Sequence, residues 1–147
     1  MPLNIRYQAI TMTFSILFFF TRKPGVSPEE FKDHLENIHM PILQEVAGPH
    51  FPLSHTRHYI QRTQGQGEGT TRNATSPAQI LLGSQTDFDY DAVAELIFQD
   101  AAAFQAFMAF SHTPEKAAKV GADQELFIDR SQLRAVVLGS TEVTKRE

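Results

Sequence analysis

The stretch Phe14–Phe20 is apolar at every position except Ser15. Large side chains at consecutive rather than alternate positions require a strand buried on both faces. The run stops at Thr21-Arg22-Lys23-Pro24, short of the about 20 apolar residues a membrane span needs. It also lacks the small-residue cleavage site of a secretion signal. A buried strand is therefore expected, and no membrane partner. At 147 residues the chain fits one domain, which can bury roughly 70% of its extended surface without staples. The absence of cysteine removes disulfides, thiolate catalysis and thiolate-bound metal clusters, and accords with a reducing, cytoplasmic setting. Thirteen Lys and Arg are scattered among seventeen Asp and Glu, for a net charge of −4, so no nucleic-acid partner is expected.

The punctuation that follows alternates helix and strand. Ser27-Pro28-Glu29-Glu30 supplies an N-cap, a proline at the first helical position and the Glu30 of a capping box. Phe31, Leu35, Ile38, Ile42 and Val46 then recur every three or four residues, giving one apolar helix face that ends near Gly48-Pro49. Pro41 has no N–H for the carbonyl of Asn37, so a kink is expected beside His39. A second strand is read over 56–62, a polar loop over 63–76, and a short extended piece over 78–83. Ala92–Phe98 reads as a third strand, apolar except for Glu95. Asp100 caps a helix carrying Phe104, Phe107 and Met108, Pro114–Phe127 has weak helical character, and 133–138 forms a last strand.

The order strand, helix, strand, strand, helix, strand is that of an α+β, ferredoxin-like split β-α-β motif, with both helices on one face of an antiparallel sheet. Two helices cover one face only. Packing the other face on a second copy gives a homodimer and a dimeric α+β barrel.

Phe18-Phe19-Phe20-Thr21-Arg22-Lys23-Pro24-Gly25, Ser27-Pro28-Glu29-Glu30-Phe31 and Glu36-Asn37-Ile38-His39-Met40-Pro41 resemble the first half of EthD-type dimeric α+β barrel proteins. Ala47-Gly48-Pro49, the segment Phe51-Pro52-Leu53-Ser54-His55-Thr56-Arg57, Asp87-Phe88-Asp89-Tyr90-Asp91, Ala94-Glu95 and Ala103-Phe104-Gln105-Ala106-Phe107 are similar to the small fungal decarboxylases and dehydratases of aromatic polyketide pathways. The resemblance implies polyphenolic, anthrone-like or naphthol-like substrates, no cofactor, and decarboxylation, dehydration or cofactor-free oxygenation. His34 departs from the tyrosine that such sequences often carry. Residues 1–12 look like an N-terminal extension to a single domain over 13–147.

Ionisable groups that interrupt apolar elements are the candidates for chemistry. His39, beside the Pro41 break, either caps a loosened carbonyl or acts as a general acid or base, and the resemblance favours catalysis. Glu95 shares a strand face with Val93 and Ile97; it is either a raised-pKa acid or imidazole partner, or the mate of Arg57 or Arg62. His55, Arg57 and Tyr59 project from one face of the second strand and His58 from the other, which puts His58 or Tyr59 across from Glu95. His39, His58 and Glu95 are thus the catalytic candidates. Arg57 either binds a substrate carboxylate or pairs with a surface acid. Tyr59 and His55 are further substrate-binding candidates, and Phe18, Phe20 and Phe107 are candidates to line a flat aromatic pocket.

No metal site is expected. Asp87, Asp89 and Asp91 lack the glycine and distal glutamate of a calcium loop. His34 and His39, five apart, fall on different faces of a regular helix. Gly65, Gly67 and Gly69 precede no phosphate-binding helix. The leading expectation is a cofactor-free lyase that removes carbon dioxide from an aromatic polyketide carboxylic acid. A protonated His39 or His58 would polarise the carbonyl and then protonate carbon. The alternatives are a dehydratase or aromatising cyclase, a cofactor-free oxygenase, and a dimeric module that only binds an aromatic ligand.

Overall fold

The computed structural model describes residues 13–63 and 73–147; the readings for residues 1–12, for most of the 63–76 loop and for Gly65, Gly67 and Gly69 lie outside these. β1 (Phe14–Phe20), β2 (Ser54–Tyr59), β3 (Ala92–Phe98) and β4 (Arg134–Val137) form one antiparallel sheet in the order β2-β3-β1-β4. With its helices on one face this is the ferredoxin-like α+β fold. β1 is central, as its consecutive apolar residues require. The second strand starts and ends earlier than the 56–62 expected, and the 78–83 piece reduces to a single bridge between Ala78 and Arg62.

Register decides which side chains meet the helices. Ile16 faces Leu96 and Phe18 faces Ala94 from β1 to β3, while His55 faces Leu96 and Arg57 faces Ala94 from β2 to β3. That face carries the core, with Phe31, Leu35, Phe98, Phe127 and Ile128 fully enclosed. The odd-numbered residues of β1 and β3, Leu17, Phe19, Val93, Glu95 and Ile97, turn to the helix-free face, joined there by Thr56 and His58 of β2.

The first helical segment is interrupted by a π-turn beside Pro41. α1 (Pro28–His34) opens with the expected capping box, Ser27 Oγ accepting from the Glu30 amide and Glu30 from the Ser27 amide. A π-turn follows at Leu35–His39, closed by the Met40 amide donating to the Leu35 carbonyl, and α2 (Met40–Ala47) restarts with Pro41 in its first turn. A proline that gives no N–H to the preceding turn fits at the start of a fresh helix, and the extra residue of the π-turn absorbs the offset. Gly48 ends α2 at a φ of 53°, and a Cβ there would meet the Phe110 ring at 3.4 Å. α3 (Ala101–Ser111) is capped by Asp100 and α4 (Pro114–Phe127) is a full helix despite its weak apolar period.

Beyond the sheet, a buried ion cluster ties three strand ends together. Asp91 accepts from the Arg22 amide at 2.7 Å, from the Arg22 guanidinium, and from Arg62 Nη2 at 2.9 Å. All three side chains are buried. Removing one partner from such a cluster leaves uncompensated charge in a dry site. Asp91→Ala is expected to lower unfolding free energy by about 3–5 kcal/mol, read as a drop in urea midpoint; a change under about 1 kcal/mol would show the cluster to be wetter than its geometry indicates.

Candidate functional site

A cavity of about 440 Å³ opens between the helices and the covered face of the sheet. Its size suits a small polycyclic ligand. Phe18 and Phe20 of β1 and Phe104 and Phe107 of α3 supply flat aromatic walls, and Leu43 and Val46 of α2 close one side. Phe18, Phe20, Phe107, His39 and His55 all reach it.

His39 is 1% exposed, and its Nδ1 lies 2.7 Å from Oδ2 of Asp123 on α4. An ionised carboxylate only accepts, so the ring proton sits on Nδ1 and Nε2 keeps its lone pair. Nε2 has no hydrogen-bond partner among the described residues. Burial pushes the His39 pKa below the usual imidazole value; the Asp123 hydrogen bond opposes this without cancelling it. His39 is thus held by an acid through Nδ1 and is not the carbonyl cap of the alternative reading.

His34 reaches the same carboxylate, its Nε2 lying 3.0 Å from Oδ1 of Asp123, while its ring stacks on Phe127 at 4.1 Å. The expectation that His34 and His39 lie on different faces is corrected here. In an i→i+5 turn, residues five apart come to the same side, and the turn from Leu35 to His39 is of that kind.

His55 is held the opposite way. Arg57 Nη1 donates to His55 Nδ1 at 3.0 Å and to the His55 carbonyl at 2.7 Å. A guanidinium has no acceptor, so Nδ1 of His55 carries the lone pair and Nε2 the proton. Burial first, and the Arg57 charge second, bring the His55 pKa down to about 4. Arg57 is itself locked to Glu36 of the π-turn by two bonds, Nε to Oε2 at 2.5 Å and Nη2 to Oε1 at 3.0 Å, and Tyr59 donates to Oε2 at 2.5 Å. That pairing holds the Glu36 carboxyl below its ordinary range, with Arg57 the largest cause, and burial raises the Tyr59 hydroxyl. Arg57 and Tyr59 therefore meet an acid and do not line the cavity.

His58 and Glu95 are not brought to the cavity either. Both point to the helix-free face, where Glu95 lies across from Leu17 and Thr56, and His58 across from Val93. Neither His58 nor Tyr59 faces Glu95, because the β2–β3 register is offset from the one assumed. The acids sought for Arg57 and Arg62 are Glu36 and Asp91.

Asp123 was the residue that sequence reasoning passed over. It lies three residues after Val120 and four before Phe127, so it is a carboxylate on the buried stripe of α4, the same signal that singled out Glu95. Arg130 was also missed; its guanidinium rests against Gly121 at the cavity and pairs with Glu125 at 3.2 Å. Among the described residues no three His, Asp or Glu side chains are grouped to hold a metal ion. The three aspartates around residue 89 have separate tasks: Asp87 caps its own turn at Ser84, Asp89 accepts from Asn73, and Asp91 holds the arginines. No described helix is long and apolar enough to cross a membrane.

The profile of the EthD domain matches residues 23–131, from the end of β1 to the turn before β4. No curated protein matches the chain. Among solved structures, a protein from Arabidopsis thaliana is similar at 13% identity, covering 90% of this chain and 99% of its own, with a TM-score of 0.53. An ethyl tert-butyl ether D family protein from Bacillus halodurans gives 17% identity over 88% of this chain and all of its own, TM-score 0.49. SnoaB, a cofactor-independent oxygenase from Streptomyces nogalater, gives 15%, 91%, 98% and 0.48 in the same order. At these identities the likeness is one of fold.

Both cavity imidazoles are harder to protonate in the folded chain than in the unfolded one, so the unfolded state binds more protons in acid. Stability is expected to fall as pH drops from about 6.5 to about 4, the window set by His55. Denaturant titrations across that range check it; His55→Gln should flatten the slope, and an unchanged slope would contradict the buried, neutral His55.

Proposed function

The chain belongs to the EthD domain family, and on that premise we propose that it is a cofactor-free lyase that decarboxylates an aromatic polyketide carboxylic acid whose carbonyl lies β to the carboxyl group. The observation that carries this reading is the pair of neutral imidazoles of opposite polarity on one apolar cavity: His39 with a free lone pair on Nε2, His55 with a proton on Nε2. The phenylalanine walls favour a flat polycycle.

The substrate enters as the carboxylic acid. His39 takes the carboxyl proton, the bond to the carboxyl carbon breaks, carbon dioxide leaves, and the electron pair moves into the ring carbonyl as an enolate. His55 Nε2–H donates to the enolate oxygen, and the imidazolium of His39, steadied by Asp123, returns its proton to carbon. Atoms and charge balance without a further reactant. This reading gives the carbonyl to neutral His55 where the sequence suggested a protonated His39 or His58. The same pair supports the runner-up reaction, in which His39 removes a proton α to a carbonyl held by His55 and returns it to a β-hydroxyl, whose C–O bond breaks so that water leaves and a double bond forms. Incubation with an anthrone-type carboxylic acid separates them by product mass, since loss of water and retention of the carboxyl group would overturn decarboxylation. Consumption of dioxygen would mark an oxygenase, and binding without turnover a ligand-binding module. His39→Ala is expected to lower kcat by about 100-fold or more, and wild-type activity should fall as pH drops through the depressed His39 pKa.

A homodimer belongs to the same proposal. The helix-free face presents Leu17, Phe19, Val93 and Ile97, over which no described helix lies, and a second copy would supply the matching surface. Leu17→Lys is expected to give a folded monomer by sedimentation; a wild-type chain that sediments as a monomer at micromolar concentration would refute the dimer.

A further inference from the structure

Asp123 serves two rings with one carboxylate. Oδ2 takes the proton of His39 Nδ1 at 2.7 Å, and Oδ1 meets His34 Nε2 at 3.0 Å. The two imidazoles differ in what surrounds them. His39 is 1% exposed and faces the cavity, whereas His34 is 19% exposed and stacks flat on Phe127, so water reaches one ring and not the other. A carboxylate with 8% exposure has little solvent to share its charge. Whatever charge His34 carries is felt by Asp123, and through it by His39.

We propose that His34 is a positioning residue for His39: it clamps Oδ1 of Asp123 so that Oδ2 aims at the buried ring, and its own charge sets how much of the carboxylate's negative charge His39 can use. With His34 neutral, Asp123 is a full counter-charge and His39 is the stronger base. With His34 protonated, the carboxylate is already paired, so a proton on His39 is less well supported and the ring stays neutral further into acid. The groups around His39 are Asp123 from α4, His34 from α1 and His55 from β2, with Arg57 and Glu36 behind His55, and His112 after α3 and Arg130 after α4 on the same cavity. Arg57 and Glu36 neutralise one another. The π-turn is what makes the arrangement possible, since it alone brings residues 34 and 39 to the same carboxylate.

The proposal rests on the reading of His39 as the base, and its test does not need turnover. The pH midpoint of the His39 ring is followed by NMR in the wild-type chain, in His34→Gln, which keeps a neutral N–H donor at the same place, and in His34→Phe, which keeps only the stack on Phe127. The His39 midpoint is expected to rise by about half a pH unit or more in both variants. An unmoved midpoint in both folded variants would overturn the tuning role. Where a substrate turns over, kcat at neutral pH should fall about tenfold in His34→Phe and recover in His34→Gln; equal kcat in wild type and His34→Phe would overturn the clamp. Loss of carbon dioxide is scored separately with His39→Ala, so a failed assignment of reaction and a failed role for His34 give different results.

Discussion

The Asp123 carboxylate is the constraint on which the site depends. It is the only acid that touches His39 or His34 among the described residues, and it decides which ring nitrogen of His39 bears the proton. Without it, a ring so deeply enclosed would have no hydrogen-bond partner among the described residues at either nitrogen, and leaving Nδ1–H unpaired costs roughly 1–3 kcal/mol. The backbone serves this contact: Pro41 forces a restart of the helix, the restart is accommodated as a π-turn, and the π-turn turns two histidines toward one helix. Local covalent chemistry at a single proline is thus read out as side-chain geometry at the cavity.

Behind the second imidazole stands a different device. Glu36 fixes Arg57 through Nε and Nη2, Tyr59 caps the same carboxylate, and Arg57 Nη1 then donates to His55. Surface ion pairs contribute little on their own, but a bidentate pair with a third partner has one geometry and keeps it. The outcome is two cavity imidazoles that are unequal, one with an accepting Nε2 and one with a donating Nε2. Such a pair needs no net charge to be buried, which makes it compatible with aromatic walls where a lone imidazolium would be costly.

Much of this was legible in the chain. The consecutive apolar residues of β1 placed it at the sheet centre, the Ser27 to Glu30 box started α1 where the structure starts it, and the alternation strand, helix, strand, strand, helix, strand gave the ferredoxin-like order. His39 stood out because a proline follows it. Glu95 and His58 stood out for an equally sound reason and lie elsewhere, because period-two alternation separates two faces of a strand without saying which one the helices cover. Tyr59 and Arg57 were on the covered face, but their partner Glu36 sits in a turn whose register regular helical spacing misplaces. Asp123 was hidden by the weak apolar period of α4, which concealed that this stripe is buried.

The two histidines and their shared acid are separated by 89 and 84 positions along the chain. A nascent chain that has emerged only as far as β3 holds every aromatic wall of β1 and both rings, yet has no acid to orient them. Ring orientation is therefore acquired only when the last helix docks, and a chain shortened before α4 would keep its imidazoles while losing the difference between them.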